Sequence, residues 1–202
     1  MPSAYLALAK ARAASVSDRY RQPEDFGYDF SVWISPYTKG AHALGGIAVV
    51  LQDWLSADTL ASPSHPRPDI QELGRDATRD TNKNLQKLLS RVFGLSIGDV
   101  YVTNAFPFIK LGANDANVSQ ALMDQTARDF AKQELEIVAP KVVMAMGRKS
   151  HTALTRAGID CFHVSHPAAR GMKLDAREEE WRRTLPTELV EELYVGRTRR
   201  DA

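Results

Sequence analysis

The chain has 202 residues, 44% hydrophobic and 25% charged, with a net charge of +1. That is globular composition with enough length for one buried core, and the balanced charge excludes a globally basic nucleic-acid binder, so any DNA contact must rest on local basic patches. No apolar run approaches a membrane span, the N-terminus has no signal-like apolar stretch, and the lone Cys161 excludes an internal disulfide and cysteine-ligated zinc or iron–sulfur sites, so a cytoplasmic protein is expected.

Residues 4–20 are Ala-rich with Leu6, Leu8 and Val16 and predict an opening helix. Residues 22–28, with Pro23, read as a connection, and 29–34 as a short strand or edge segment. Residues 35–46 hold one proline, three glycines, Lys39 and His42, a loop composition. The run 47–51, IAVVL, is too short and β-branched for a helix and predicts a strand buried on both faces, ending at Gln52-Asp53. Three prolines in 60–69 predict an irregular surface loop.

Residues 80–93 predict a helix capped by Asp80 or Thr81, with Leu85, Leu88, Leu89 and Val92 on one face and Gly94 as its stop. A second strand, 99–104, ends at Asn104. A long helix over 117–138, capped by Asn117 or Ser119, ends before Pro140. Residues 141–146 form a third strand, the segment after Gly147 a helix closed by Gly158, and 160–165 a fourth strand ending at His166-Pro167. From 175 onward the chain is charged and predicts one or two helices broken by Pro186, with a frayed end and a solubilising run at Arg197 to Arg200. Alternating strands and helices predict a three-layer α/β/α sandwich around a central, mainly parallel four-stranded sheet, in a single domain spanning 1–202.

Ligands in open α/β sheets bind beyond the carboxyl ends of the strands. Gln52-Asp53, Asn104 and His166 all stand at such ends. Taken singly, each has a bland reading: a helix-capping Asp, a turn Asn, a hydrogen-bonded loop His. His163 and His166 have a ligand-like spacing, but alternate positions on a strand face opposite ways, so no metal and no cofactor are expected.

Several segments resemble those of one family. GIAVVLQDW resembles the GQDPYH segment of uracil-DNA glycosylases, VYVTNAFPF their strand ending in Asn, KVVMAMGRKSHTAL the strand-and-helix stretch that follows, and HVSHPAAR their HPS segment. The resemblance covers about 45–173 in matching order, and on it the chain is identified as a divergent member of that superfamily without iron–sulfur cysteines. It implies a hydrolase, a monofunctional DNA glycosylase of base-excision repair that flips a base out of DNA and leaves an abasic site.

By position, the resemblance implies that Asp53 orients water and stabilises the sugar cation, and that the backbone beside Gln52 binds the base O2. Asn104 reads the base edge, and His166 stabilises the departing anion. Trp54 and Leu55 flank the base. Lys39, Arg170 and Lys173, with Arg148 and Lys149, lie in loops or helix starts expected to face the strand ends and are candidate phosphate contacts, a solvated charge being the alternative for each. The stacking aromatic is Tyr37, Phe106, Phe108 or Trp54.

Two departures bear on substrate. The family continues Asp-Pro-Tyr-His where this chain has Asp53-Trp54-Leu55-Ser56, and it has Ser where this chain has Ala168. The family's Tyr excludes a substituent at C5 of the base, so Leu55 leaves open both uracil and a C5-modified pyrimidine, including hypermodified phage cytosine and hence a role in antiviral defence. A catalytically silent nucleic-acid-binding relative is the alternative. DNA is the expected partner, with no membrane, and a monomer is expected.

Overall fold

The computed structural model describes residues 2–185; the expected break at Pro186 and the Arg197–Arg200 run lie outside the described residues. In chain order the elements are β1 (Tyr20–Arg21) after α1 (Ser3–Ala13), β2 (Ile47–Leu51), α2 (Ala57–Leu60), α3 (Pro68–Leu73), α4 (Asp80–Phe93) and β3 (Tyr101–Asn104). There follow β4 (Ile109–Lys110), α5 (Gln120–Thr126), α6 (Lys132–Val138), β5 (Val142–Met146), α7 (Arg148–Arg156), β6 (Phe162–Val164) and α8 (Leu174–Thr184).

The central sheet has the order β3-β2-β5-β6 with every pairing parallel. The chain enters at β2, adds β3 on one side, then crosses back to lay β5 on the other. That reversal puts a topological switch point between β2 and β5, where such sheets open a crevice at their carboxyl edge. All five residues of β2 are buried, as the unbroken apolar run requires. Successive residues serve opposite layers: Ile47, Val49 and Leu51 pack with α3, α4 and α8, whereas Ala48 and Val50 pack with α1, α5, α6 and α7.

Three expectations are corrected, and a fourth is refined. The opening helix ends at Ala13 because Gln22 Nε2 donates to the carbonyls of Arg12 (2.9 Å) and Ser15 (2.6 Å), acceptors a longer helix would have used. Residues 29–34 are irregular, since the buried Arg12 guanidinium takes the carbonyls of Phe30 and Trp33 and leaves no ladder to form. The Pro-rich 60–69 stretch is partly helical, with Pro68 at the first turn of α3, where its missing N–H costs nothing. The 117–138 helix is a rod from Gln120 to Val138 with a wider π turn at Ala127–Ala131, capped by Ser119, whose Oγ accepts from Leu122 N–H. The short β1–β4 pair had no sequence signal, because two-residue strands carry no periodicity.

One polar cluster interrupts the second core layer. Glu134 on α6 is fully buried; Tyr101 and Thr103 hydroxyls donate to it at 2.5 and 3.0 Å. The Tyr5 hydroxyl lies 3.3 Å from that of Tyr101 and donates to Thr38 Oγ1 at 2.9 Å, and Thr38 donates to the Ser35 carbonyl at 2.6 Å. Burial raises the Glu134 carboxyl to about 7 against the opposing pull of the two hydroxyl donors.

Candidate active site

Beyond the carboxyl ends of β2 and β6 lies a cavity of about 270 Å³. Leu51, Gln52, Asp53, Trp54 and Leu55 form one side, His166 another, and Tyr37, Asp76, Arg79, Thr81, Asn82, Lys110 and Asn114 complete it. The residues that end β2 and the histidine that follows β6 are therefore brought together, although 112 positions of chain separate Asp53 from the segment at Ser165.

Asp53 is gripped at both oxygens. Lys110 Nζ lies 2.9 Å from Oδ1, with both side chains about nine-tenths buried, and Gln52 Nε2 donates to Oδ2 at 2.7 Å. Lys110 reaches the site from β4, whose backbone is held by Tyr20 on β1 and bridged to Ser56. Neither Lys110 nor its strand was identified from sequence; a single lysine inside the apolar stretch from Phe106 to Leu111 is its only signal.

His166 enters on a loop clamped from several sides. Asn84 Nδ2 on α4 donates to the Pro167 carbonyl at 2.9 Å, Arg177 on α8 donates to the Ala169 carbonyl, and Glu180 accepts from the Ser165 N–H (3.1 Å) and hydroxyl (2.9 Å). Gly147 (φ +88°) opens α7 beside it, and a Cβ there would stand 3.5 Å from that of His166. The Ala168 N–H donates to His166 Nδ1 at 3.2 Å, so Nδ1 carries no proton and a neutral ring holds its proton on Nε2. Burial lowers the imidazole pKa, opposed by the Asp53 carboxylate and reinforced by Arg177. Among the described residues Nε2 has no hydrogen-bond partner.

The walls are aromatic and polar. Trp54 is buried edge-on against Tyr28 and Phe30, and its indole N–H donates to the Gly74 carbonyl at 3.1 Å. Only glycine fits at 74: φ is +68° and a Cβ would lie 1.8 Å from the Pro36 carbonyl oxygen. That close approach seats the turn carrying Tyr37, whose hydroxyl donates to Asn82 Oδ1 at 2.9 Å while Asn82 donates to the Asp76 carbonyl at 2.7 Å. Burial favours protonation of Asp76, but the Thr78 hydroxyl and N–H and the guanidiniums of Arg67 and Arg79 outweigh it and lower its pKa. Arg79 also donates to Asn114 Oδ1 at 2.9 Å. Of the aromatics named from sequence, Tyr37 and Trp54 line the cavity. Phe106 and Phe108 pack with Tyr20 in the other core layer.

Asn104 closes β3 but is absent from the cavity wall: its Nδ2 donates to Ser35 Oγ at 3.0 Å, and its buried Oδ1 has no partner among the described residues. Lys39, Arg170 and Lys173 also lie outside the lining; Lys39 sits 5.8 Å over the Phe30 ring, and Arg170 and Lys173 are exposed. Lys149 is tied to Asn117 and to the Val118 carbonyl. His163 lies against His151, ring centres 4.9 Å apart, and among the described residues no three His, Cys, Asp or Glu side chains are grouped to hold a metal. No described helix is long and apolar enough to cross a membrane.

A family model described as the uracil DNA glycosylase superfamily matches residues 59–188. Asn104 and His166 fall inside the matched stretch, and Asp53 just before it. No curated protein matches the chain.

Proposed function

This chain belongs to the uracil-DNA glycosylase superfamily, whose general activity is hydrolytic release of a base from DNA, and we propose that it acts on a flipped non-standard pyrimidine, uracil or a C5-modified cytosine. The observation that carries the reading is the placement of the Asp53 carboxylate and the neutral His166 imidazole on one cavity at the sheet's carboxyl edge.

Breaking the glycosidic bond leaves positive charge on the deoxyribose and negative charge on the base. Asp53 faces the first charge and orients water; the water oxygen bonds to C1′ and its proton passes to the carboxylate. His166 answers the second charge. Its Nε2–H, fixed by the bond at Nδ1, donates to the base oxygen as the anion develops, and a neutral donor needs no recharging between turnovers. The Gln52 amide secures Asp53, and Trp54 with Tyr37 supplies flat walls for the base. Asn104 acts from behind the wall, bonding Ser35 just ahead of the turn that carries Tyr37; direct reading of the base requires its amide to rotate away.

Leu55, standing where the family has Tyr, and the polar groups Arg79, Asn114 and Asp76 on the same cavity favour a base with a hydrophilic substituent at C5. Such bases occur in phage DNA, which links this reading to defence. The second reading, a silent DNA-binding relative, is favoured by one observation: at rest both Asp53 oxygens are already bonded.

Oligonucleotides carrying uracil, a thymine mispair, hydroxymethylcytosine or glucosylated cytosine, incubated with the protein and cleaved with alkali, separate these cases. Excision of C5-substituted bases is the expected result. Excision of uracil alone means that the wall is closed, and binding without excision of any base establishes the silent relative.

A further inference from the structure

We propose a second activity for this cavity: Lys110 attacks the abasic sugar left by base release and cuts the strand through a Schiff base. The inference rests on the glycosylase reading for the origin of that sugar, and on the position of one amine. Lys110 Nζ is 2.9 Å from Asp53 Oδ1, with 10% of its side chain exposed, and it lines the same cavity as Asp53 and His166. Its backbone belongs to the β1–β4 pair, so a rigid element delivers the amine.

Hydrolysis does not account for this lysine. Water is the nucleophile there, His166 serves the leaving group, and Gln52 already holds Asp53. A cation against Asp53 also weakens the field that the carboxylate offers the sugar cation. A neutral donor would anchor Asp53 without that cost. An amine within hydrogen-bond reach of a base, in a pocket where an aldehyde is produced, is instead the arrangement of Schiff-base catalysis.

The steps balance without any oxidant or reductant. The ammonium passes a proton to Asp53, and the freed amine adds to C1′ of the ring-opened sugar. Asp53 returns the proton to the resulting hydroxyl, which leaves as water, and an iminium remains. Asp53 then removes a proton from C2′; the electron pair forms the C2′–C3′ double bond, and the C3′–O bond breaks with its electrons on the departing phosphate, which takes the proton. Water hydrolyses the imine, releasing an unsaturated aldehyde and restoring the ammonium–carboxylate pair. This extends the monofunctional, purely hydrolytic enzyme expected from sequence.

The test uses an oligonucleotide with one preformed abasic site, so base release is not required. The full-length protein is incubated with it in sodium borohydride, which reduces an imine to a stable amine. The expected result is a covalent protein–DNA band, located on Lys110 by mass spectrometry of its peptides, together with strand cleavage in the absence of borohydride and alkali. Lys110→Arg is expected to lose both. No adduct with the native protein, or an adduct on another amine, overturns the proposal and makes Lys110 an anchor only. The peptide assignment in the native protein decides the matter even if the variant fails to fold. An adduct without base release in the oligonucleotide panel refutes the glycosylase reading alone, and base release without an adduct refutes this one alone.

Discussion

Replacing Glu134 by Gln tests the buried polar cluster that joins α6 to β3. In the folded protein the carboxyl titrates at about 7 instead of 4.5, because burial disfavours its charge more than Tyr101 and Thr103 favour it. A folded-state pKa above the unfolded one means that the native state holds the proton more tightly. The resulting stability is fully present below pH 4.5 and is lost as pH rises through about 7. A tenfold change in proton affinity is worth ~1.4 kcal/mol, so the loss amounts to on the order of 3 kcal/mol. Gln is uncharged throughout, can accept from Tyr101 and can donate to the Thr103 hydroxyl. Urea unfolding of both proteins from pH 5 to pH 8.5 reads the effect (about 1.4 kcal/mol per tenfold in the equilibrium). The variant should gain on the native protein across that window, by on the order of 3 kcal/mol in all. Parallel stability–pH curves would refute a raised Glu134 pKa in the folded protein. The chain of hydroxyls through Tyr5 and Thr38 reaches the carbonyl of Ser35, whose hydroxyl accepts from Asn104.

Three further outcomes are expected. Asp53→Asn should keep DNA affinity and lower single-turnover base release by about 10²–10⁴-fold; an unchanged rate removes Asp53 from the chemistry. His166→Ala should cost on the order of 10²–10³-fold, and because burial lowers the native imidazole pKa, the native rate should hold below the ordinary imidazole range and fall only at more acid pH. A pH–rate profile that declines at or above the ordinary value contradicts a neutral donor. Charge reversal at Arg170 or Lys173 should weaken DNA binding and reduce the log–log salt slope by about one for each phosphate that is no longer neutralised, whereas an unchanged slope means that these side chains face away from DNA.

The primary sequence by itself determined the sheet and the ends of its strands. The five-residue apolar runs Ile47–Leu51 and Val142–Met146 favour strands covered on both faces, and helical periodicity between the strands favours parallel connections. The placement of Asp53 and His166 at one edge was legible for a related reason: each follows a predicted strand, and parallel strands carry their ends to one edge. Where local pattern was weak, tertiary interactions decided. Arg12 consumed the acceptors of 29–34, Gln22 stopped α1, and Ser35 turned Asn104 away from the cavity that its strand end suggested. Lys110 lay beyond any sequence rule, because its place beside Asp53 depends on a two-residue strand pairing with β1 some ninety positions earlier, a pairing that leaves no periodic trace. Periodicity records which face a side chain takes; only the packed chain records what it meets there.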